Sequence, residues 1–292
     1  MLTSILEFNM IEKKFIKTIN KIKQYPSLTI GGLGFGLLCL AVLLAPSLVH
    51  VDPLTINYMA ILEPPSRAHL MGTDELGRDV FSRVLYGGRI SLAIGAAVAV
   101  LTGIIGAAIG LICGYFSKID FVLMRLMDVL MAFPSLLLGL AMMAALGFSA
   151  FNVVIALSLA YIPRTVRVVR SVALATRQQN FIEAAKALGA SAPRILFRHM
   201  LPAAVPVLVV QQTFIFAYAV LGEAMLSFAG VGIQPPTPTL GNIIGDAQPF
   251  MQNAPWIVFF AGGVIMAYVL FLNLLGDGLR EIVDPKRRYA RI

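Results

Sequence analysis

Glu223 and Asp128 are the acids in this sequence best placed to do work, because each stands at the edge of a long apolar stretch. A charge there is costly and turns toward a bundle interior or toward water. From such a place a carboxylate can line a polar path or answer a cationic group, or it can simply fix helix contacts, and both readings stand open. Bond-making chemistry finds no support. His50, His69 and His199 lack the H-E-x-x-H spacing of a zinc hydrolase. No G-x-S-x-G elbow occurs, and Leu274 stands where an aspartyl G-x-G-D would need its first glycine. A G-x-x-x-x-G-K-[ST] phosphate loop is missing as well, so the chain itself is expected to bind no nucleotide, metal or other cofactor. Cys39 and Cys113 fall inside apolar stretches and read as small buried side chains.

The elements that must hold these residues are membrane spans. Of 292 residues, 58% are hydrophobic and 13% charged, and the mean hydropathy is +0.83, far above a soluble domain. Charge-free runs long enough to cross a bilayer as helix extend from Lys23 to Asp52, Arg89 to Lys118, Asp128 to Arg164, Arg198 to Glu223 and Asp246 to Asp277. The third is too long for one helix, and the polar, glycine-marked break GFSAFN at 147–152 divides it with a tight turn. Pro134 predicts a kink before that turn. Trp256 marks the start of the last span as an interfacial anchor. The fold class expected is therefore all-α: a polytopic membrane protein with six transmembrane helices.

Basic residues that flank spans stay preferentially in the cytoplasm. With the amino terminus inside, all but Arg67, Arg78, Arg83 and Arg89 of the 23 Lys and Arg fall on that side. Both termini are thus expected to be cytoplasmic, and the +8 net charge reads as a topology signal, not as a nucleic-acid surface. The four outer arginines, offset by Asp74, Glu75 and Asp79, suit an interfacial helix whose arginines reach lipid headgroups. The expected organisation is a cytoplasmic amphipathic segment (1–27), a first span (28–49) and an outer loop with that interfacial helix (50–89). A five-helix core (90–280) follows, with its largest inner loop at 171–202, and a basic cytoplasmic tail (281–292) closes the chain. Asp277 and Arg280 are spaced to pair at i, i+3.

That inner loop reads like a piece of a soluble protein. In FIEAAKALGASAPRILFRHMLP (181–202), Phe181, Ala184, Ala185 and Leu188 recur at helical spacing and give one apolar face. Gly189 is placed to end that helix as its C-cap, and Ser191 with Pro193 opens a second one. Taken alone, the pattern also fits a basic connector anchoring two spans.

The triplet Glu183-Ala184-Ala185 followed by Gly189, and then Ile195 and Pro202, resembles the EAA motif of binding-protein-dependent ABC importer permeases. Other stretches extend the resemblance over nearly the whole chain in the right order. They are HLMGTDELGRDVFSR (69–83) with YGGRISL (86–92), MDVLMAFPS (127–135), LSFAGVGIQPPTP (226–238), and NLLGDGLR (273–280) through Asp284-Pro285. Together they are similar to the dipeptide, oligopeptide and nickel branch, most of all to its second permease, the C-type subunit. One departure is Ala229, which stands where that branch writes the last apolar residue of Leu-Ser-Phe-Leu-Gly.

The resemblance implies a type I ABC importer permease fold in a bacterial inner membrane, and a non-catalytic subunit. It implies that Glu183, Ala184, Ala185, Leu188, Gly189, Ile195 and Pro202 form a loop coupled to an ATPase. A second homologous permease would complete the translocation path, for which Glu223 and Asp128 are then candidates. Two ATP-binding subunits would dock at the cytoplasmic face and hold the ATP and Mg, while an extracytoplasmic solute-binding protein delivers cargo. The intact EAA triplet leans toward a dipeptide or oligopeptide over nickel, a metal chelate or glutathione. An ion-driven secondary transporter would carry inverted repeats and interrupted helices, and no internal repeat is found in the sequence.

Overall fold

The computed structural model describes residues 25–49 and 51–283. The amphipathic segment expected before Tyr25 and the basic tail from 284 onward lie outside the described residues. The regular secondary structure of the described residues is helical, apart from an isolated bridge between Thr73 and Asp79. The helices are α1 (Pro26–Leu43), α2 (Ala45–Leu48), α3 (Val80–Tyr115), α4 (Ser117–Ala132), α5 (Ser135–Leu146), α6 (Ala150–Arg177), α7 (Asn180–Ala187), α8 (Ala192–Ile195), α9 (Leu201–Phe228), α10 (Leu240–Ala247) and α11 (Pro255–Val283). A π-helical stretch, Leu196–Met200, joins α8 to α9.

Five of these are long and apolar enough to cross a membrane, with α8 through α9 counted as one, and α4 with α5 makes a sixth if the bent pair is one span. That pair corrects the kink expected at Pro134. A proline disfavours helical backbone in the residue before it, and Phe133 is extended at φ −91°, ψ 136°. One helix therefore ends and another begins, bent by 92°. The turn after α5 follows from its sequence. Gly147 takes a positive φ of 86°, Ser149 caps α6 by accepting the Asn152 N–H at 3.1 Å, and the Asn152 amide donates back to the Leu146 and Gly147 carbonyls at 2.8 and 2.9 Å.

Close approach of α3 and α6 organises the bundle. Gly106, Gly110 and Gly114, four residues apart, face Thr165, Val169 and Ala173. A Cβ on them would fall 2.7, 2.8 and 2.3 Å from the Cβ atoms of those three residues. Small residues at this spacing let membrane helices approach backbone to side chain, where dispersion substitutes for the missing hydrophobic drive. Polar ties reinforce the packing. Thr102 donates to the Gln212 side-chain oxygen at 3.0 Å, and the Gln212 amide donates to Thr165 at 3.1 Å, so one side chain of α9 joins α3 to α6.

Backbone contact between α1 and α11 brings the first and last described helices together, for a Cβ at Gly278 would lie 2.3 Å from the Leu28 nitrogen. Val42, late in α1, packs on Gly88, early in α3. The start of α1 therefore shares an end of the bundle with the close of α3 and with α7; that end is called terminal here, and the opposite end far.

At the far end, residues 51–79 contain no helix, so the interfacial helix expected within 50–89 is not a separate element, and the next helix, α3, begins at Val80. Asp79 caps α3 by accepting the Ser82 N–H at 2.8 Å. Two of the four outer arginines do not reach outward, since Arg78 and Arg83 are buried, while Arg67 and Arg89 are exposed. Arg78 bonds Asp74 at 2.7 Å and Glu75 at 2.6 Å, while Arg83 pairs with Asp74 and, at 3.4 Å, with Asp246. The physical reason is the density of acids, which compensate these arginines within the chain. Trp256 donates to the Thr73 carbonyl at 3.3 Å, fastening this segment to α11.

Candidate functional site

Two places gather residues that function could use: the loop between α6 and α9 at the terminal end, and the grooves beside α6 and α9 within the spans. In the loop, α7 is fixed by one residue the apolar-face reading passed over. Ile182 is 0% exposed and packs with Ile195, Met200, Leu111, Val169 and Ala173. Ile195 is likewise fully buried and anchors α8, the returning helix of the loop. Around that anchor the loop faces outward. Glu183 and Ala184 are exposed and Ala185 is half-buried, while Phe181 is 51% and Leu188 88% exposed.

The turn after α7 is built by hydrogen bonds of the Schellman type. The Gly189 N–H donates to the Lys186 carbonyl and the Ala190 N–H to the Ala185 carbonyl, each at 2.9 Å. This geometry needs a left-handed residue after the helix, and Gly189 supplies it with φ 79°. A Cβ there would meet nothing within 4 Å, so backbone conformation rather than space demands glycine. Ser191 then opens α8, with Pro193 in its first turn. The second helix does not stop before the span but runs on through the π stretch, and Pro202, exposed, enters α9 at its first turn. A proline in a continuing helix removes a donor and crowds the carbonyl four residues back, and the wider π turn before it accommodates that demand.

Glu223 has no open face. It is 0% exposed, and its carboxylate accepts from Ser91 of α3 at 2.5 Å and from Ser227 at 2.8 Å. The side chain thus joins α9 to α3 inside the chain instead of facing a cavity. Asp128 is 51% exposed on its side chain, yet Arg167 holds it at 2.7 Å, and one helical stretch away Asp120 binds Arg170 through both its oxygens at 2.5 and 2.6 Å. These pairs fasten α4 to α6. Asp277 and Arg280, expected to pair, are both exposed and make no ion pair among the described residues.

Arg164, counted from the sequence among the basic residues of the cytoplasmic side, is placed elsewhere by the structure. It lies in the middle of the continuous α6, where its guanidinium stands 5.4 Å from the Tyr161 ring centre and 5.1 Å from that of Tyr218. A cavity of ≈ 240 Å³ between α5, α6 and α9 and a groove of ≈ 1150 Å³ reaching Arg280 at the terminal end both include Arg164 and Tyr218 in their walls. Ionisable behaviour outside the spans is disturbed at Glu75, whose carboxyl is pushed above its ordinary value by burial and by neighbouring Asp74, against the weaker pull of Arg78 and Arg83.

Sequence comparison gives these features a context. Residues 106–289 match the family described as binding-protein-dependent transport system inner membrane component. The chain is 43% identical over 271 residues, 93% of its length and 92% of the relative's, to a putative peptide transport system permease protein of Brucella abortus. It is 42% identical over 250 residues, 85% and 82% of the two chains, to the dipeptide transport system permease protein DppC of Alkalihalophilus pseudofirmus. To a probable D,D-dipeptide transport system permease protein of Escherichia coli it is 39% identical over 251 residues, 86% and 84% of the two chains.

Proposed function

This chain belongs to the family of binding-protein-dependent transport system inner membrane components, and from that premise we propose that it is one half of the translocation path of an ATP-driven importer of short peptides. In this reading its partners are a second permease of the same fold, two ATPases at the terminal end of the bundle, and a solute-binding protein at the far end. ATP and Mg belong to the ATPases, and no covalent chemistry is asked of this chain. The side carrying α7 is cytoplasmic, which the distribution of Lys and Arg supports.

The observation that carries the coupling role is α7 itself, a helix anchored by buried Ile182 that turns Phe181, Glu183, Ala184 and Leu188 outward. An apolar helix face left open on a folded chain is suited to an apolar groove on a partner. Ile195 and Gly189 fix its position and its end, so movement of the partner is transmitted to α6 and α9, between which the loop is tied. ATP-driven closure of the ATPases would then turn the path outward, and hydrolysis would return it inward. Asp128 and Glu223 we assign to holding helices, through Arg167 and through Ser91 and Ser227, and not to meeting cargo.

The cargo assignment rests on the relatives' names and the intact EAA triplet. Its test is uptake of labelled di- and tripeptides by the source cells with and without the chain. Loss of peptide uptake on deletion, restored by the gene, is the expected result; peptide uptake unchanged while uptake of nickel or a chelate disappears would overturn it.

A further inference from the structure

Arg164 has no part in the loop and no acidic partner among the described residues, yet it sits deep in the bundle. At 1.5 Å per residue it is about 20 Å from either end of α6, where an ionised group is costly and marks a functional position. Its neighbours on the same helix are neutralised, Arg167 by Asp128 and Arg170 by Asp120. Arg164 instead lies against two aromatic faces, which attract a cation without cancelling its charge. The support is itself built, because the Tyr161 hydroxyl donates to the Tyr218 carbonyl at 3.1 Å and ties α6 to α9 at this level. Arg164 and Tyr218 are the two residues common to the smaller cavity toward the far end and the larger groove toward the terminal end. No Asp or Glu lines either one, and Arg280 adds a second cation to the groove.

We propose that Arg164, held between Tyr161 and Tyr218, is the point of the translocation path that receives the free carboxylate of the cargo. The inference rests on the reading of this chain as an importer permease and narrows its substrate class to short peptides with an unblocked carboxyl terminus. A guanidinium offers a planar, two-pronged match to a carboxylate, and the tyrosine rings keep it extended in the bundle before cargo arrives. A bare divalent cation is repelled at the same point.

The test uses the whole complex, purified through a tag on this chain with every subunit that accompanies it and reconstituted in vesicles with its binding protein. The probe is an equimolar mixture of radiolabelled di- and tripeptides with free carboxyl termini. Arg164→Gln is expected to slow import about tenfold or more at saturating binding protein, the scale of one lost charge-assisted bond, while ATP hydrolysis stimulated by loaded binding protein persists. Arg164→Lys, which keeps the charge, is expected to import within about threefold of wild type. Undiminished import by an assembled Arg164→Gln complex overturns the site, as does an assembled Arg164→Lys complex as slow as the Gln variant. Should Arg164→Gln fail to assemble, the Lys variant carries the test alone. A wild-type complex that imports no peptide at all defeats the assignment of short peptides as cargo, a different outcome from either.

Discussion

The far-end segment 51–79 and the terminal-end loop around α7 are both polar interruptions of an apolar chain, and they resolve their charges in opposite ways. The far-end segment closes on itself: Asp74 is 1% exposed and serves Arg78, Arg83 and the backbone N–H groups of Leu76 and Arg78. Around α7 only Ile182 and Ile195 are buried deeply, and the apolar side chains on its outward face have nothing to cover them among the described residues. The far-end segment pairs its buried arginines within the chain, while Tyr58, Met59 and Leu70 stay exposed on its surface. A helix that exposes Leu188 and Phe181 while fixing its backbone with a buried anchor is shaped for a partner.

The contrast can be broken most severely at Asp74. Asp74→Ala leaves two buried arginines without their shared acceptor, and a buried pair broken from one side costs about 3–5 kcal/mol. Loss of folded chain from the membrane, measured by thermal aggregation of the detergent-solubilised protein, is expected. A melting curve like that of wild type would mean the far-end network is not closed as described.

Ile182→Ala comes next, at about 2–5 kcal/mol for truncating a large buried aliphatic. Its effect should be local, with amide exchange accelerated over 180–200 and unchanged at the far end. Global destabilisation would show that the loop and bundle form one cooperative unit.

Glu75 gives a smaller, pH-dependent distinction. Because its folded carboxyl is raised above 4.5, mainly by burial, the folded chain binds that proton more tightly than the unfolded one. Its contribution to stability is complete below the ordinary value and falls as pH rises through the raised one. Glu75→Gln is expected to flatten this decline in melting temperature. A decline of the same slope in both proteins would remove the argument.

Much of this was legible in the sequence for identifiable physical reasons. Charge-free runs mark spans because a bilayer cannot solvate charges, so the helix count survived even though Pro134 breaks one crossing into a bent pair. Gly189 was legible because only a left-handed backbone closes that turn, and φ 79° confirms the requirement. The charges misled where their partners do not show in the local pattern. Arg83, expected to reach headgroups, is buried and meets Asp246, 163 residues on, and Asp128 is held by Arg167, 39 residues away, a tie that spacing alone does not show. Glu223 misled in the same way, because its partner Ser91 lies 132 residues away. Ile182 escaped notice because it falls off the apolar stripe of Phe181, Ala184 and Leu188. It points into the protein, while the stripe points out.

The most direct measurement is co-purification from native membranes of the tagged wild-type chain beside Leu188→Asp. Leu188 is 88% exposed, so the substitution is expected to change stability by less than about 0.5 kcal/mol. The account predicts an unchanged melting temperature and retention of the second permease, with the ATPases lost from the variant alone. ATPases retained in full by the Leu188→Asp chain would contradict the claim that the outward face of α7 is where they dock.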